Sequence, residues 1–396
     1  MFCMEKIKLF LKYFFLIIFK IFPIKKNTVL FSSFHGQYSD SPKAISEKLH
    51  ELLPAIKIVW VIGEKSKEKI LPEYIKTVKP NSIGEAFYLV TSKVVVENYL
   101  GWLYGQAPLN TKKYYFLSNI KKKKQFNIST WHGTPLKNIE REGIELKIGE
   151  VFYTTSDLII SGNTFCTEVL RRKSQNKVNV LEVGTARNDL LFGNDKEKRN
   201  QLLERLGLPK DKKICVYAPT FRDNLEAGGI IQIKMLDIRK VREALSEKFG
   251  GDWIFVFRVH DSVLQKMEAT LNEIADRQYV YSGNITDDMA EYLMVSDVLL
   301  TDYSSSIFDY IITKRPCFLF CHDLESYKNV ERGLYMDIEK LPFSLAQTEE
   351  DLYSDILNFD YVKYNAGVEK LMRDMGFCET GISAQRIVEI ICERLK

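Results

Sequence analysis

Short apolar runs alternate with helical patterns along almost the whole chain, and no other feature limits the possible folds so tightly. The runs are 28–33, 57–62, 93–97, 126–131, 157–161 and 178–183, then 213–219, 253–259, 279–282, 298–301 and 316–321. Helical patterns lie between them: 42–53 with a proline at its start, 234–249, 287–295, 304–311 and 382–395. Near-continuous apolar strands separated by helices predict parallel sheets covered on both faces. A polar, charged stretch at 193–199 interrupts the series. The fold class expected is therefore α/β, with one domain over 27–195, a second over 196–396, and residues 1–26 apart. A chain of 396 residues suits two such domains.

Charge separates those first 26 residues from the rest. The whole chain carries a formal +4. Residues 1–26 hold six lysines and one acid, so the remainder is near neutral at −1. A generally basic nucleic-acid binder is excluded, and one local anionic contact is favoured. Hydrophobic residues at 45% and charged residues at 27% exclude wholesale disorder and a polytopic membrane protein.

Residues 6–22 are apolar but broken by lysines. As a helix they span about 25 Å at ~1.5 Å per residue, short of the roughly 30 Å of a bilayer core. Lys6, Lys8, Lys12 and Lys20 fall within an arc of about 160°, and Phe10, Phe14, Ile17, Ile18 and Ile21 fill the rest. This predicts an amphipathic helix lying in an anionic membrane surface. The bland alternatives are a terminal helix packed on its own protein, or a single span. A second basic stretch, 111–124, holds six lysines and no acid, and faces either the same membrane or an anionic acceptor.

The chemistry-bearing residues cluster at strand ends. Of five histidines, His132 follows the run 126–131 inside Trp131-His132-Gly133-Thr134-Pro135-Leu136-Lys137. Glycine lets backbone approach a ligand closely, and Thr134-Pro135 predicts a helix start whose free N–H groups favour an anion. Lys137 adds a positive charge. A structural histidine at a strand end is the plainer reading, and the neighbouring residues tilt it toward function. Arg258 and His260 alternate at the end of another strand and share a face, as a phosphate clamp requires. Thr301-Asp302-Tyr303-Ser304-Ser305-Ser306 runs from a strand into a helical pattern, where hydroxyls and N–H groups make a phosphate site. Two further strand-end turns carry Arg222 and Arg187.

Cys317, Cys321 and His322 raise a metal site, yet both thiols lie in an apolar run that reads as a buried strand. Gly-x-x-x-x-Gly-Lys-Ser/Thr, Gly-x-Gly-x-x-Gly, His-Glu-x-x-His, Asp-x-Asp and Gly-x-Ser-x-Gly are all missing. That disfavours P-loop NTPases, dinucleotide dehydrogenases, zinc proteases and serine esterases.

Taken in order, these motifs resemble the CDP-glycerol:glycerophosphotransferase family of teichoic acid and related polymer synthesis. The resemblance rests on Trp131-His132-Gly133-Thr134-Pro135-x-Lys137, Tyr217-Ala-Pro-Thr220-x-Arg222-Asp223, Arg258-x-His260 and Thr301-Asp302-Tyr303-Ser304-Ser305 with Asp309. It extends to Phe31-x-Ser33-Phe-x-Gly36, to Ser39-Asp40-Ser41-Pro42 and to Arg332-Gly333-Leu334-Tyr335.

The resemblance implies a GT-B-like fold, two Rossmann-like doubly wound domains facing a cleft. The first would be the acceptor side and the second the CDP-glycerol donor side. It also implies peripheral attachment at the cytoplasmic face of the membrane and a lipid-linked acceptor, with no nucleic acid partner and the oligomeric state left open. The expected reaction is glycerophosphate transfer from CDP-glycerol with release of CMP. His132 would be the base, with His260 and Asp302 in the catalytic set, and the two histidines interchangeable at this stage. Arg258, His260, Ser304 and Ser305 would hold the diphosphate, with Thr220 and Arg222 on the donor side. Asp302 and Asp309 would orient the histidines or grip the glycerol hydroxyls. Gly36, Gly133, Thr134, Lys137, Arg187, Thr301 and Arg332 complete the expected substrate-binding set. No obligatory cofactor is indicated, and a divalent cation is left open. The alternatives are a GT-B glycosyltransferase using a nucleotide sugar and a catalytically silent membrane-associated binding protein.

Overall fold

The computed structural model describes residues 14–34, 36–67, 71–98, 120–139, 156–193, 195–220, 236–258, 277–330 and 333–396. It divides into two compact units. Unit 1 comprises Met1–Thr134, Glu140–Asp189 and Gly376–Lys396; unit 2 comprises Pro135–Ile139 and Leu190–Met375.

In unit 1 the described elements run β1 (Lys25–Ser32), α1 (Asp40–Leu52), β2 (Lys57–Val61), α2 (Glu64–Lys67), β3 (Lys76–Val78), α3 (Ile83–Thr91), β4 (Ser92–Glu97), β5 (Phe126–Ser129), β6 (Leu158–Ser161), α4 (Thr164–Lys173) and β7 (Asn179–Glu182). Unit 2 follows with α5 (Lys196–Arg205), β8 (Lys213–Ala218), α6 (Ile238–Phe249), β9 (Trp253–Phe257), β10 (Val280–Ser282), α7 (Met289–Val295), β11 (Val298–Thr301), α8 (Ser306–Tyr310), β12 (Cys317–Phe320), α9 (Leu324–Val330), β13 (Ser344–Ala346), α10 (Glu349–Leu357) and α11 (Tyr361–Asp374). A last helix, α12 (Ser383–Leu395), returns to unit 1. The sequence reading placed all of 196–396 in one domain. The structure instead gives Gly376–Lys396 to the other unit.

Each unit holds one all-parallel sheet. The orders are β3-β2-β1-β4-β5-β6-β7 and β10-β9-β8-β11-β12-β13. Both have the doubly wound order, in which the winding direction reverses once: between β1 and β4, and between β8 and β11. The apolar runs are near-continuous because both faces are covered. Val29, Phe31, Val94 and Val96 pack with Ile45 and Leu49 of α1 and Ile387, Val388 and Ile391 of α12. Leu30 and Val95 point the other way, onto Ala86, Leu89 and Val90 of α3 and onto Leu16.

Helix starts follow local chemistry. Ser82, Asn163, Asp237 and Asp288 accept from backbone N–H groups of their first turns, and Thr348 forms a capping box with Asp351. The edge strands β3 and β13, three residues each, were not expected from the pattern.

Of the expected N-terminal helix only residues 14–22 are described, and 14–19 are helical. Leu16 is buried and Phe15 and Phe19 pack beside it, while Phe14, Ile17, Ile18 and Ile21 are exposed. Among the described residues no helix is long and apolar enough to cross a membrane.

Candidate active site

Ligands of doubly wound sheets sit beyond the strand carboxyl ends where the winding reverses. In unit 1 that position is occupied by residues after β1, β4 and β5. His132 comes three residues after β5. Its Nδ1 lies 3.1 Å from the carbonyl oxygen of Asn98, the residue directly after β4. A carbonyl only accepts, so Nδ1 carries the proton and Nε2 keeps its lone pair. Asn98 is itself fully buried, and its Oδ1 accepts from the Phe34 N–H at 2.9 Å. Trp131 and Phe34 flank the imidazole, with ring centroids 3.8 and 6.0 Å away. Burial pushes the His132 pKa below its usual value. The Asn98 carbonyl and Asp40 oppose that shift, and Arg187 adds to it. The neutral, proton-accepting form is therefore favoured.

Backbone strain concentrates here. Phe34 (φ 40°), Asp40 (φ 64°) and Trp131 (φ 53°) are non-glycine residues in the left-handed region, an uncommon state for bulky side chains. Gly133 has φ 105°, and a Cβ built on it would overlap the Arg187 guanidinium. Arg187 Nη1 donates to Asp40 Oδ2 at 2.9 Å, and both side chains are nearly buried. This pair braces the backbone beside His132. Gly36 (φ 92°) has a structural reason to be glycine, because a Cβ there would come 2.5 Å from Gly63 N.

The helix expected to start at Thr134-Pro135 does not form. Residues 131–139 are non-helical. The Thr134 hydroxyl accepts from Asn163 Nδ2 at 2.6 Å. Beyond it Lys137 bridges to Leu334 in antiparallel fashion, the Tyr335 N–H donates to Leu136 O, and the Asn138 N–H donates to Gly333 O. A proline suits extended pairing as well as a first helical turn, and here strand-like pairing takes up the main chain. The Lys137 ammonium sits 5.7 Å from the centre of the Tyr327 ring, which stacks on Tyr303 at 3.6 Å.

In unit 2 the reversal lies between β8 and β11, and one residue ties the two together. The buried Asp302 Oδ1 accepts from Thr220 N at 2.8 Å and from Tyr303 N at 2.7 Å. Thr301 donates its hydroxyl to Ala218 O at 2.6 Å. The half-buried Ser304 hydroxyl lies 2.9 Å from that of Ser306, and Ser305 stands at the N-cap of α8 with no side-chain cap bond. α8 is only five residues long, so this turn could offer an anion its hydroxyls more than a helix dipole. Asp309 is buried on α8.

Arg258 is engaged by main-chain carbonyls. Its guanidinium donates to the carbonyl oxygens of Gly283 (2.8 Å), Thr286 (3.1 Å) and Asp287 (2.8 Å), which fixes the loop between β10 and α7. Three of its five N–H donors are thereby engaged. His260, Arg222 and Arg332 lie outside the described residues. Cys317 is buried within β12 and Cys321 just after it.

Sequence reasoning singled out neither Asn98 nor Asp40 as a site residue. A polar residue directly after β4, at the reversal, was the available signal for Asn98. Asp40 appeared only within the Ser-Asp-Ser-Pro motif.

A sequence model of the family described as CDP-Glycerol:Poly(glycerophosphate) glycerophosphotransferase matches residues 13–393. The teichoic acid poly(glycerol phosphate) polymerase of Bacillus subtilis is 31% identical over 93% of this chain, which spans 49% of that protein. That of Bacillus spizizenii is 30% identical over 94% of this chain and 94% of its own length. A solved structure of the wall teichoic acid polymerase TagF superposes with a TM-score of 0.75 at 27% identity, covering 99% of this chain and 96% of that one.

Proposed function

The chain belongs to the CDP-Glycerol:Poly(glycerophosphate) glycerophosphotransferase family, and on that premise we propose that it moves glycerol phosphate from CDP-glycerol to a hydroxyl of a membrane-lipid-linked acceptor, in teichoic acid or related polymer synthesis. The chain spans about half of one curated relative and nearly all of another. The activity is therefore argued from the residues themselves.

The acceptor oxygen attacks the phosphorus that bears glycerol. The P–O bond to CMP breaks, and CMP leaves with the bridging oxygen. The acceptor proton passes to Nε2 of His132. The single observation that carries this is the Nδ1–H bond to Asn98 O, which leaves Nε2 as the basic nitrogen. Phosphoryl transfer otherwise needs positioning and charge neutralisation. Ser304, Ser305 and Thr220 in unit 2 are assigned to the donor diphosphate, and His132 and Arg187 in unit 1 to the acceptor. This division of labour is that of a GT-B-like enzyme with two Rossmann-like halves. His260, Arg222 and Arg332 stay in the donor set on sequence grounds. Arg258 is reassigned as a positioning residue for loop 283–287, on its three carbonyl bonds.

We propose a peripheral protein at the cytoplasmic face of the membrane; the exposed apolar residues Phe14, Ile17, Ile18 and Ile21 support membrane contact, and the face follows from the CDP-glycerol donor reading. The test is a donor screen with a lipid-linked glycerol phosphate acceptor. CMP release from CDP-glycerol is expected, with acceptor growth by glycerol phosphate. Turnover of a nucleotide sugar in its place points to glycosyl transfer, and no turnover of any CDP-alcohol points to a binding protein.

A further inference from the structure

At the foot of the N-terminal helical segment lies a pocket of about 460 Å³ in unit 1. Lys20, Lys26, Lys93, Lys122, Lys123 and Lys124 line it, and among the described residues no carboxylate does. The two basic stretches read separately in the sequence therefore meet at one place. The loop that carries Lys122–Lys124 is built, not draped. Gln125, buried, donates to Leu89 O (2.8 Å) and Ser92 O (2.7 Å), and its Oε1 accepts from Lys122 N. Lys122 donates to Phe22 O, and Lys93 to Lys124 O at 3.1 Å. Asp157 is paired with Lys121, which does not line the pocket. Burial, with Lys20 nearby, pushes the Lys122 pKa down.

Beside this cluster stands an apolar rim. Ile21 is 80% exposed, Ile17 51% and Phe14 50%, with Ile18 and Phe22 less so. On the helix, Phe14, Ile17 and Ile18 fall within about 100°, opposite the buried Leu16, and Ile21 follows in the turn. A soluble polyanion gains nothing from such a rim. A bilayer of anionic phospholipid takes both parts, cations at the phosphates and isoleucines at the acyl boundary.

We propose that this pocket seats the phosphodiester headgroup of an anionic membrane phospholipid while Ile17, Ile18 and Ile21 enter the acyl boundary. The inference rests on the peripheral-membrane reading above and gives it a ligand site.

The test is flotation of the full chain with vesicles of phosphatidylcholine alone or doped with phosphatidylglycerol. The triple variant Lys20→Gln, Lys123→Gln, Lys124→Gln should bind doped vesicles about 100-fold more weakly, since each lysine near an anionic surface contributes roughly fivefold. Its weak binding to pure phosphatidylcholine should not change. Lys123→Arg with Lys124→Arg should keep binding, and Ile17→Ser with Ile21→Ser should weaken binding to both vesicle types. Wild-type binding by the triple variant overturns the proposal. So does inorganic polyphosphate that binds as tightly as the vesicles and is indifferent to Ile17→Ser with Ile21→Ser, which would make this a polyanion site. CMP release with a water-soluble acceptor, measured on the same variants, should be unchanged. Its absence in the wild type would indict the transferase reading, not the headgroup site.

Discussion

The imidazole Nδ1 of His132 lies 3.1 Å from the carbonyl oxygen of Asn98, joining the residues that follow two hydrogen-bonded strands, β5 and β4. The imidazole is thus held by main chain at a point where the sheet itself sets the spacing. A side-chain partner could swing away; this carbonyl cannot without breaking strand register. Asn98 then passes the constraint on through its Oδ1 to the strained Phe34.

His132→Ala should lower turnover by about 10²–10⁴-fold with the fold retained. Donor KM should change little. Because the His132 pKa is pushed below 6.5, the acidic limb of the wild-type pH–rate profile should have its midpoint under that value. The sign follows from chemistry: the neutral ring is the active form, and a lowered pKa keeps it neutral to lower pH. A limb centred above 6.5, or one that persists in His132→Ala, refutes the assignment.

Breaking the buried Arg187–Asp40 pair should be costly. Arg187→Met leaves the Asp40 carboxylate buried without its partner and should destabilise unit 1 by about 3–5 kcal/mol. Adding Asp40→Asn should recover part of that loss, since the orphan charge disappears. Urea denaturation of the single and double variants measures the coupling, and strict additivity would show that the pair is not energetically linked.

Ser304→Ala with Ser305→Ala should raise the KM for CDP-glycerol about tenfold and leave turnover at saturation nearly intact. The estimate assumes ~0.5–1.5 kcal/mol for a typical hydrogen bond. Folding stability should fall only modestly: the Ser305 side chain caps nothing in α8, and Ser304→Ala gives up the hydroxyl's contacts to the Ser306 hydroxyl and N–H. Steady-state kinetics with varied donor decides, and an unchanged KM removes both serines from the donor set.

Arg258→Met should behave as a loop mutation. It abolishes three hydrogen bonds from a charged donor to main-chain carbonyls. Protection of amides 283–287 from hydrogen exchange should fall, along with thermal stability. If instead only donor affinity falls, with exchange unchanged, the phosphate-clamp reading is restored.

What the sequence made legible depended on which signals are local. The run Val94–Val96 announced a strand buried on both faces because α3 covers one face and α1 with α12 the other. β3 and β13 carried no such signal, because Lys-Thr-Val and Ser-Leu-Ala are not apolar runs and lie largely part-exposed. α12 was visible as a helix, yet an apolar stripe does not state which sheet it will meet. The same limit governed the site. Alternation put Arg258 on the right strand end without revealing the carbonyls it meets. Thr134-Pro135 fitted a helix start, and extended pairing satisfied the same residues. The Asn98 contact to His132 is made by a main-chain oxygen, which every residue type carries and no pattern marks.

The return of α12 to unit 1 sets an order of assembly. Asp189 accepts from the N–H groups of Ser383 and Ala384, and Glu379 accepts from Thr185 N, so the first sheet is fastened to residues made after unit 2. Between them in the chain lies nearly all of unit 2. As the polypeptide leaves the ribosome, unit 2 can close its own core while the half that carries His132 still shows an uncovered apolar face on β1 and β4. The half synthesised first is therefore the last to be finished, and in that interval it is the half that a chaperone would need to shield.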